Sequence, residues 1–468
     1  MIIYVENVMT TAFAPSPAER DVLCAVLTVY GKWDFMTGQN KVCNFYAVDA
    51  GNIVFGTGLL DFILQTLASY GFTINLCDRR RKPYFEQHYK QAEQLFTPYG
   101  DQEIVADLML KRGRGVLNLA TNYGKTYLYM RCWKKLQCPN MLIVVPTQAL
   151  LYQVRQDFAK NMKLNVDEIG MVGDGKFEWR PFTVAIIDSV NLWLNMNKPL
   201  PYYFDMLIVD EGHLATSGEY QRLTWACDAP FRFWCSGTAY KDGDKIHEFS
   251  ITSLSGPCIA NVKNDYLVHE GRSSRPLIRF VNNYFHTNEL IEDWRGQYTH
   301  LKKDKERNSW IVEAANMANE LNLTTMIFCE HIDNHAMELG KMIPSAMVVK
   351  GGSAGVNEKI KKKLLSGELK TVICTSTWRV GVSIPGVNVL IQGCGGRAIH
   401  NRAQEFGRVL RKSELGHCYY VDFNDLGLSH VQKQAKARFD AMKLEGFGVK
   451  IVNKLEELFT TEELAIAI

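Results

Sequence analysis

Short apolar runs alternate with amphipathic stretches from about residue 91 onward. Residues 115–119, 142–145, 183–187 and 206–209 are runs of this kind, and helical patterns lie between them. Runs of that length indicate strands buried on both faces, and the stretches between them indicate helices that cover a parallel sheet. We therefore predict an α/β architecture for this part of the chain.

The same alternation starts again near residue 275. Helices are predicted at 309–321 and 357–365, among others. Strands are predicted at 277–281, 325–328, 346–349, 371–374, 387–392 and 418–423. The repeated pattern predicts a second parallel-sheet domain after the first.

The first part of the chain has a different pattern. Strands are predicted at 52–55 and 72–76, with an amphipathic helix at 59–69 between them. This pattern favours a small α+β accessory domain, and the chain length agrees with about three domains. The predicted domain ranges are 1–90, 91–272 with a connector, and 273–468.

A polar loop follows the run 115–119 and leads into a predicted helix. The residues of this loop and of the helix start are Thr121, Asn122, Tyr123, Gly124, Lys125 and Thr126. Such a loop offers backbone N–H groups and the positive end of the helix dipole, which suit phosphate. Lys125 would reach the β- and γ-phosphates of a nucleotide, and the Thr126 hydroxyl would bind Mg²⁺. Leu119 stands where the strict phosphate-loop pattern has glycine, so a chance match is the alternative.

Two acidic residues, Asp210 and Glu211, follow the run 206–209 and precede Gly212 and His213. Because strand carboxyl ends meet at one edge of a parallel sheet, we expect both acids near Lys125. We predict that Asp210 holds Mg²⁺ and that Glu211 orients and deprotonates an attacking water. The alternative is a solvated acidic turn.

Gln404, Arg408 and Arg411 recur at helical spacing after the predicted strand 387–392, so they share one helix face. Arginine stays charged and binds phosphate through two N–H groups at once. We predict that these residues stabilise charge during phosphoryl transfer. A solvated basic face is the alternative, but it leaves Gly407 in mid-helix at a cost of about 1 kcal/mol.

These three motifs occur in the order typical of superfamily 2 helicases and translocases, and the chain resembles that family over most of residues 95–425. The resemblance implies two tandem RecA-like parallel-sheet motor domains, ATP and Mg²⁺ as cofactors, and a nucleic-acid-stimulated ATPase. ATP would then be hydrolysed when the two domains close.

The same resemblance implies roles for further residues. Pro98, Tyr99 and Gln102 resemble the element that reads adenine, and Gly381 is placed with the nucleotide contacts, while Ser383 stands where the family usually has an acid. The implied nucleic-acid contacts are Pro146, Thr147, Gln148, Gln153, Ser189, Thr375 and Arg379. The residues implied in coupling hydrolysis to movement are His213, Ser236 and Thr238.

A finer resemblance is to phage recombination helicases of the UvsW kind. It rests on Gly237-Thr238 followed by residues 241–245, and on Gly256-Pro257 ahead of a basic connector. It implies a partner of branched or forked DNA with single-stranded regions. The implied activities are branch migration, fork regression and unwinding in phage recombination, repair or replication, in the host cytoplasm.

Three basic segments lie outside these motifs. Arg79, Arg80 and Arg81 end the N-terminal region and suggest a phosphate contact, with a solvated linker as the alternative. In UvsW-like proteins an N-terminal domain of this size is associated with DNA binding. The lysines within residues 359–363 favour a solvated helix face. The connector 239–275 contains a strand-like piece at 249–251 and reads as a hinge or a strand-separating hairpin, with basic residues that could line a DNA path.

Composition restricts the class of protein. Hydrophobic residues make up 47% and charged residues 22%, which is ordinary for a globular enzyme. The net charge of +3 limits any nucleic-acid surface to a local patch. Apolar stretches are too short for a membrane span and no secretory signal is recognised. The 12 cysteines form no Cys-x-x-Cys pair, so we expect no structural metal and a reducing cytoplasm. The oligomeric state is open, with a monomer favoured.

Three functions are compatible with these residues. The first is an ATP-dependent DNA helicase or translocase that remodels branched DNA. The second is an RNA helicase or the motor subunit of a restriction-type enzyme, although the sequence shows no nuclease cluster of Asp and Glu-x-Lys. The third is an ATP-gated binding or annealing protein with little turnover, which an intact Glu211 with Arg408 and Arg411 disfavours.

Overall fold

The computed structural model describes most of the chain. The described residues are 1–34, 39–84, 88–212, 218–240, 243–285, 293–349, 359–360, 362–364, 366–375, 387–395, 415–444 and 447–460. The chain divides into two compact units, Met1–Leu119 with Gly124–Val262, and Ala120–Tyr123 with Lys263–Ile468. Among the described helices, none is long and apolar enough to cross a membrane.

The first unit begins with a mixed sheet and a separate hairpin. The strands are β1 (Ile2–Val5), β2 (Met9–Phe13), β3 (Thr28–Asp34), β4 (Gln39–Asn44), β5 (Tyr46–Asp49), β6 (Asn52–Gly56) and β7 (Asn75–Asp78). The helices are α1 (Pro17–Val26) and α2 (Leu60–Ser69), with a 3₁₀ turn at Thr57–Leu59. The sheet order is β5-β6-β2-β1-β7, and β3 pairs with β4. Of the sheet's neighbouring strands, β1 and β7 are parallel and the other pairs are antiparallel.

Alternate residues of this sheet form the N-terminal core. Ile3, Val5 and Phe55 are fully buried in one cluster with Ile63 and Leu67 of α2. This period of two matches a sheet with one covered face. The strand predicted at 52–55 and the helix predicted at 59–69 are confirmed.

The strand predicted at 72–76 begins later, at Asn75. The backbone N–H of Phe72 donates a 3.1 Å hydrogen bond to the carbonyl of Leu67 in α2. Phe72 is therefore part of the turn that ends this helix. Partly buried Phe72 and Ile74 instead pack against the N-terminal core. The apolar pattern at 72–76 therefore correctly indicated burial of these side chains, but it did not indicate which residues pair with a neighbouring strand.

The first parallel sheet follows in the same unit. Its strands are β8 (Arg114–Leu119), β9 (Met141–Val145), β10 (Gly170–Gly173), β11 (Lys176–Glu178), β12 (Phe182–Ile186), β13 (Met206–Asp210), β14 (Phe231–Ser236) and β15 (Cys258–Val262). Its helices are α3 (Gly100–Arg112), α4 (Lys125–Lys135), α5 (Gln148–Asn161), α6 (Ile187–Asn195), α7 (Gly218–Ala226) and α8 (Lys245–Ser255), with a 3₁₀ turn at Val166–Glu168. The strand order is β11-β10-β12-β9-β13-β14-β8-β15. The pairs are parallel apart from β10 with β11, which confirms the predicted parallel sheet.

Part of the predicted connector belongs to this sheet, because β15 pairs with β8. The strand interpretation of residues 249–251 is wrong, since they lie inside α8. Asp244 caps that helix by accepting a 3.0 Å hydrogen bond from the backbone N–H of His247. The apolar pattern of residues 249–251 alone does not show the cap and the packing contacts that make this segment helical.

Helix α8 joins the N-terminal sheet to the first parallel sheet. The Phe249 ring lies 5.4 Å from the Phe45 ring and 5.6 Å from the Phe62 ring, measured between centroids. A Cβ added at Gly58 would collide with the carbonyl oxygen of Thr252, so the two backbones approach as closely as glycine permits. We call this contact the α8 junction.

The second unit contains the other parallel sheet. Its strands are β16 (Arg275–Tyr284), β17 (Thr325–Phe328), β18 (Ala346–Val348), β19 (Thr371–Cys374), β20 (Val389–Gln392), β21 (His417–Leu426) and β22 (Val449–Val452). Its helices include α9 (Asn264–His269), α10 (Trp294–Lys303), α11 (Lys305–Glu320), α12 (Met337–Met342) and α13 (Ser429–Leu444), with short turns at Ile332–Ala336 and Leu455–Glu457. The strand order is β18-β19-β17-β20-β21-β16-β22, with parallel pairs throughout. The strands predicted at 325–328 and 371–374 are confirmed to the residue.

Two buried ion pairs hold helices of this unit to β21. Arg307 of α11 donates from Nε to Asp425 Oδ1 at 2.9 Å. Arg438 of α13 donates two hydrogen bonds to the Asp422 carboxylate, at 2.8 and 2.9 Å. All four side chains are fully buried, so each charge depends on its partner.

These sheets confirm the predicted fold class, two RecA-like parallel-sheet domains after an α+β region. The sheets span residues 2–78, 114–262 and 275–452. The boundaries at 90/91 and 272/273 stay predictions.

Candidate active site

The loop after β8 turns sharply into α4. Asn122 and Gly124 adopt left-handed φ angles of 72° and 87°. A Cβ at Gly124 would lie 2.7 Å from the Gln102 side-chain nitrogen, so this position needs glycine for two reasons. Leu119, by contrast, is the fully buried last residue of β8 and pairs with Val262. The position where the strict pattern has glycine is therefore an ordinary strand residue in this protein, and its backbone does not require glycine.

Helix α4 begins at Lys125 with Gly124 as its N-cap, and no side chain caps it. Its first backbone N–H groups lack intrahelical partners, and the positive end of the helix dipole lies beside them. This arrangement suits an anionic ligand, and phosphate in particular.

Lys125 lies between the two predicted acidic residues. Its Nζ is 3.6 Å from Asp210 Oδ1 and 3.8 Å from Glu211 Oε1. The sheet explains this proximity, because β13 and β8 flank β14 and all three run in the same direction. The structure thus brings together the two motifs that the sequence placed far apart.

Burial and charge oppose each other at Lys125. Burial lowers the pKa of its ammonium, but the carboxylates of Glu211 and Asp210 raise it by more, so the pKa lies above its ordinary value. Lys125 therefore stays charged across the physiological range. Burial raises the pKa of Asp210, and the Lys125 charge opposes that rise.

Sequence reasoning missed Tyr129, which holds Asp210 in place. The Tyr129 hydroxyl lies 3.1 Å from Asp210 Oδ1 and donates a hydrogen bond to it. Tyr129 is fully buried, and burial raises the pKa of its hydroxyl well above the ordinary value, so it remains a donor. The available signal was its spacing of four from Lys125, which places both on one helix face.

Glu211 has a strained backbone. Its φ is 53°, in the left-handed region that a residue with a Cβ rarely adopts. Such conformations cost about 1–3 kcal/mol and concentrate at functional sites. With this backbone conformation, the carboxylates of the consecutive residues Asp210 and Glu211 both lie within 4 Å of Lys125 Nζ.

The donors at this site fit Mg²⁺. Mg²⁺ prefers oxygen ligands and commonly takes one or two carboxylates together with substrate phosphates. The Asp210 carboxylate and the hydroxyl of Thr126, the second residue of α4, supply oxygen donors of that kind. Among the described residues, no group of three or more His, Cys, Asp or Glu side chains could hold a metal ion by itself.

The element upstream of the loop lies against it. Gln102 is buried on α3 and accepts a 3.0 Å hydrogen bond from the backbone N–H of Tyr99. Its amide approaches Gly124, while the Tyr99 ring is 57% exposed. The adenine role of this element stays a prediction, and the geometry puts it within reach of the loop.

Two of the predicted coupling residues, Ser236 and Thr238, lie at the carboxyl end of β14 and in the turn after it. Ser236 is fully buried, and its hydroxyl accepts a 3.1 Å hydrogen bond from the Thr238 backbone N–H. Asn118 of β8 accepts a 3.1 Å bond from the Ala239 N–H and pairs with Ser236 in register. Asn118, which the sequence analysis did not single out, thus links this turn to the strand that leads to Lys125.

The predicted nucleic-acid contacts of the first unit lie at the carboxyl ends of two neighbouring strands. Pro146, Thr147 and Gln148 follow β9, and Ser189 lies in α6 after β12. Thr147 caps α5 by accepting a 3.4 Å hydrogen bond from the Leu150 N–H. Their roles stay predictions.

Of the remaining predicted residues, the structure describes Gln153 and Thr375. Burial raises the pKa of the Asp157 carboxyl, and a hydrogen bond with the Gln153 side chain partly opposes that rise. Thr375 is 3% exposed at the end of β19. His213, Arg379, Gly381, Ser383, Gln404, Arg408 and Arg411 lie outside the described residues.

The basic cluster after β7 is not a uniform patch. Arg81 donates to Asp205 Oδ1 at 2.8 Å and to the Phe204 carbonyl at 2.7 Å. Arg80 pairs with Asp78 at 2.5 Å. The Arg79 guanidinium lies 3.7 Å above the Tyr4 ring. A DNA role for the three arginines stays a prediction. Arg81 also has a structural role, because it holds Asp205 and Phe204 through these hydrogen bonds.

Comparisons with known families match two parts of the chain. Residues 85–241 match the domain described as the res subunit of type III restriction enzymes. Residues 306–413 match the helicase conserved C-terminal domain. The first match contains Lys125, Asp210 and Glu211, and the second contains Gln404, Arg408 and Arg411.

Individual proteins are similar at low identity. The chain is 23% identical over 342 residues to DNA 3'-5' translocase XPB2 of Sulfurisphaera tokodaii, covering 65% of this chain and 76% of that protein. It is 22% identical over 411 residues to the ATP-dependent DNA helicase uvsW of Enterobacteria phage T4, covering 82% and 80%. The structure of S. cerevisiae Dbp5 bound to RNA and ADP-BeF3 matches with a TM-score of 0.56 and 13% identity, covering 79% and 93%.

Proposed function

We propose that this superfamily 2 helicase, identified as one by its two matched domains, converts ATP hydrolysis into movement along DNA. The observation that carries the ATPase part is Lys125, held between Asp210 and Glu211 at the start of an uncapped helix. The DNA part rests on similarity to two proteins named as DNA enzymes, over 65% and 82% of the chain.

The described residues divide the chemistry among them. The N-terminal N–H groups of α4 and the Lys125 ammonium bind the phosphates. Mg²⁺, held by Asp210 and Thr126, would supply charge neutralisation of the β- and γ-phosphates. Tyr129 fixes the orientation of the Asp210 carboxylate through its hydrogen bond.

Glu211 is the proposed acceptor of the proton that the attacking water loses. Its carboxylate oxygen lies within 4 Å of Lys125 Nζ, so it faces the same space as the phosphates would occupy. A carboxylate placed there orients the water and accepts its proton as the bond to phosphorus forms. Gln404, Arg408 and Arg411 are assigned the charge that develops on the phosphoryl oxygens.

The substrate is proposed to be branched or forked DNA. The finer resemblance to UvsW-like helicases supports this, together with the match to the phage T4 protein over 82% of the chain. The α8 junction also supports it, because it fixes the N-terminal sheet to the first motor sheet within one compact unit. A fixed accessory domain holds a second DNA arm at a constant position relative to the motor. A phage setting, and with it the host cytoplasm, belongs to the same proposal.

ATP turnover with different polynucleotides tests this function. The enzyme is expected to turn over fastest with forks and four-way junctions, more slowly with single strands, and least with no polynucleotide. Preferential stimulation by RNA would favour an RNA helicase instead. ATP binding without stimulated turnover on any polynucleotide would favour a nucleotide-gated annealing protein.

A further inference from the structure

A groove in the second unit lies outside every motif discussed so far. It encloses about 550 Å³ between α13 and the ends of β21 and β22. We call it the α13 groove, and the polar residues among its lining are Asn424, Ser429, Gln432, Lys433, Lys436 and Asp440. We propose that the α13 groove binds the phosphate backbone of DNA, extending the contact made by the motor; the proposal rests on the DNA function above.

The groove has the charge that a phosphate backbone requires. Lys433 and Lys436 are exposed and stand three positions apart, so they project from one face of α13. Neither lysine forms an ion pair with a described residue. Asp440 is the acidic residue of the lining, so the two ammonium groups leave a net positive charge.

Neutral donors line the same groove. Ser429 and Gln432 are exposed at its edge. The Asn424 amide donates a 2.8 Å hydrogen bond to Asn282, and Asn282 donates a 2.7 Å bond to Asn453. This chain of amides runs from β21 across β16 to Asn453, the residue after β22, and fixes the orientation of the Asn424 side chain. Hydroxyls, amides and lysines are the side chains that commonly contact phosphate oxygens.

The lysines stand on a rigidly held helix. The doubly hydrogen-bonded pair of Arg438 and Asp422 fixes α13 to β21, and Arg438 also donates to the Gly395 carbonyl at 2.9 Å. A groove built on a fixed helix and strand binds with less loss of conformational freedom than lysines on a loose segment. This feature distinguishes the α13 groove from a solvated run of charges.

The position agrees with a continuous DNA path. In the parallel sheet, β19, which ends beside Thr375, and β22 are five strand spacings apart. At ~4.8 Å for each spacing, that distance is about 24 Å. It corresponds to about seven base pairs at ~3.4 Å each. The groove therefore adds a definite length to the DNA that the second unit can contact.

A pair of charge-removing variants tests the proposal in the full chain. Lys433→Gln with Lys436→Gln removes two charges from the α13 groove. Lys359→Gln with Lys362→Gln removes two charges from exposed lysines of the same unit that do not line it. DNA affinity is measured by fluorescence anisotropy at several salt concentrations, on forks with arms shortened in steps of two base pairs.

The groove variant is expected to lose about two units of the salt slope of log affinity, since each phosphate contact contributes about one. Its affinity at 0.1 M salt is expected to fall by roughly 10- to 100-fold for the same reason. Its minimal arm length is expected to shorten by about seven base pairs. The control variant should match the parent, and ATP turnover at saturating DNA should be equal in all three proteins.

Each other outcome overturns a stated part. An unchanged slope and arm length in the groove variant would refute DNA binding by the α13 groove while the DNA-stimulated ATPase of the parent stood. Equal losses in both variants would mean general electrostatic attraction, and the groove would again be refuted. If the parent showed neither DNA binding nor DNA-stimulated turnover, the proposed function would fail first and the groove with it.

Discussion

The hydroxyl of Tyr129 lies 3.1 Å from a carboxylate oxygen of Asp210 and holds it beside Lys125. Both side chains are buried, so the hydrogen bond is shielded from water. The same interaction opposes the rise in the pKa of Asp210 that burial causes. Tyr129 is therefore a positioning residue for the candidate magnesium ligand.

Tyr129→Phe is expected to keep the fold and lower ATP turnover by ~10-fold, the typical value of a hydrogen bond to a charged group. Without the hydroxyl, the pKa of Asp210 rises further, so the carboxyl is protonated at a higher pH. The acid limb of the pH–rate profile should therefore shift to higher pH. Tyr127→Phe on the same helix is the control, and an identical profile for Tyr129→Phe would contradict the role.

Lys125→Ala is expected to abolish ATP hydrolysis while leaving the fold and nucleic-acid binding largely intact. The reason is the loss of the ammonium from the β- and γ-phosphate position. ATP turnover and DNA affinity are both measured, and Lys135→Ala, at the C-terminal end of the same helix, is the control. Hydrolysis near the parent rate would show that the loop before α4 is not the phosphate site.

Glu211→Gln is expected to bind ATP normally and to turn over at least ~10²-fold more slowly. The amide preserves the shape of the side chain but cannot accept the proton of the attacking water. Nucleotide binding and single-turnover hydrolysis are measured side by side, with exposed Glu219→Gln as the control. A matching loss of binding and turnover would make Glu211 a binding residue rather than a base.

Arg81 and Arg79 are expected to behave differently when replaced by alanine. Arg81→Ala leaves the fully buried Asp205 without its guanidinium, which should lower the free energy of unfolding by about 1–3 kcal/mol. Arg79→Ala removes the contact with the Tyr4 ring, so it should lower the free energy of unfolding by no more than about 1 kcal/mol. It should also lower the salt slope of DNA binding by about one unit. Denaturant unfolding and salt-dependent binding measure the two effects.

The outcome decides how the basic cluster is tested. If Arg81→Ala lost DNA binding without losing stability, the DNA contact of Arg81 would matter more than its hydrogen bonds to Asp205 and Phe204. A triple substitution of Arg79, Arg80 and Arg81 would confuse the two effects. Single variants therefore replace it, with Arg80→Ala, whose partner Asp78 is exposed, as the comparison.

Local patterns identified much of the fold and the centre of the site. Strands 325–328 and 371–374 were predictable because uninterrupted apolar runs between polar turns allow few other structures. The approach of Lys125 to Asp210 was predictable because parallel strands bring their carboxyl ends to one edge. Both inferences use rules that hold whatever the distant packing.

Other features depend on partners that are remote in sequence. Phe249 carries a strand-like local pattern, but its contacts with Phe45 and Phe62 belong to another domain. Arg81 reads as one of four consecutive basic residues, and its partner Asp205 is not recognisable from spacing. Tyr129 resembles any apolar helix residue until the position of Asp210 is known.

The α8 junction has a consequence for dividing the protein. Phe249 is partly buried because Phe45 and Phe62 cover it, and Gly58 admits the backbone of Thr252 beside them. A fragment that begins at residue 91 would present this aromatic surface to water, and an isolated N-terminal fragment would present its counterpart. Exposed apolar surface of this kind promotes aggregation. The first 262 residues are thus a single piece for expression, and the sequence boundary at 90 is a poor place to cut.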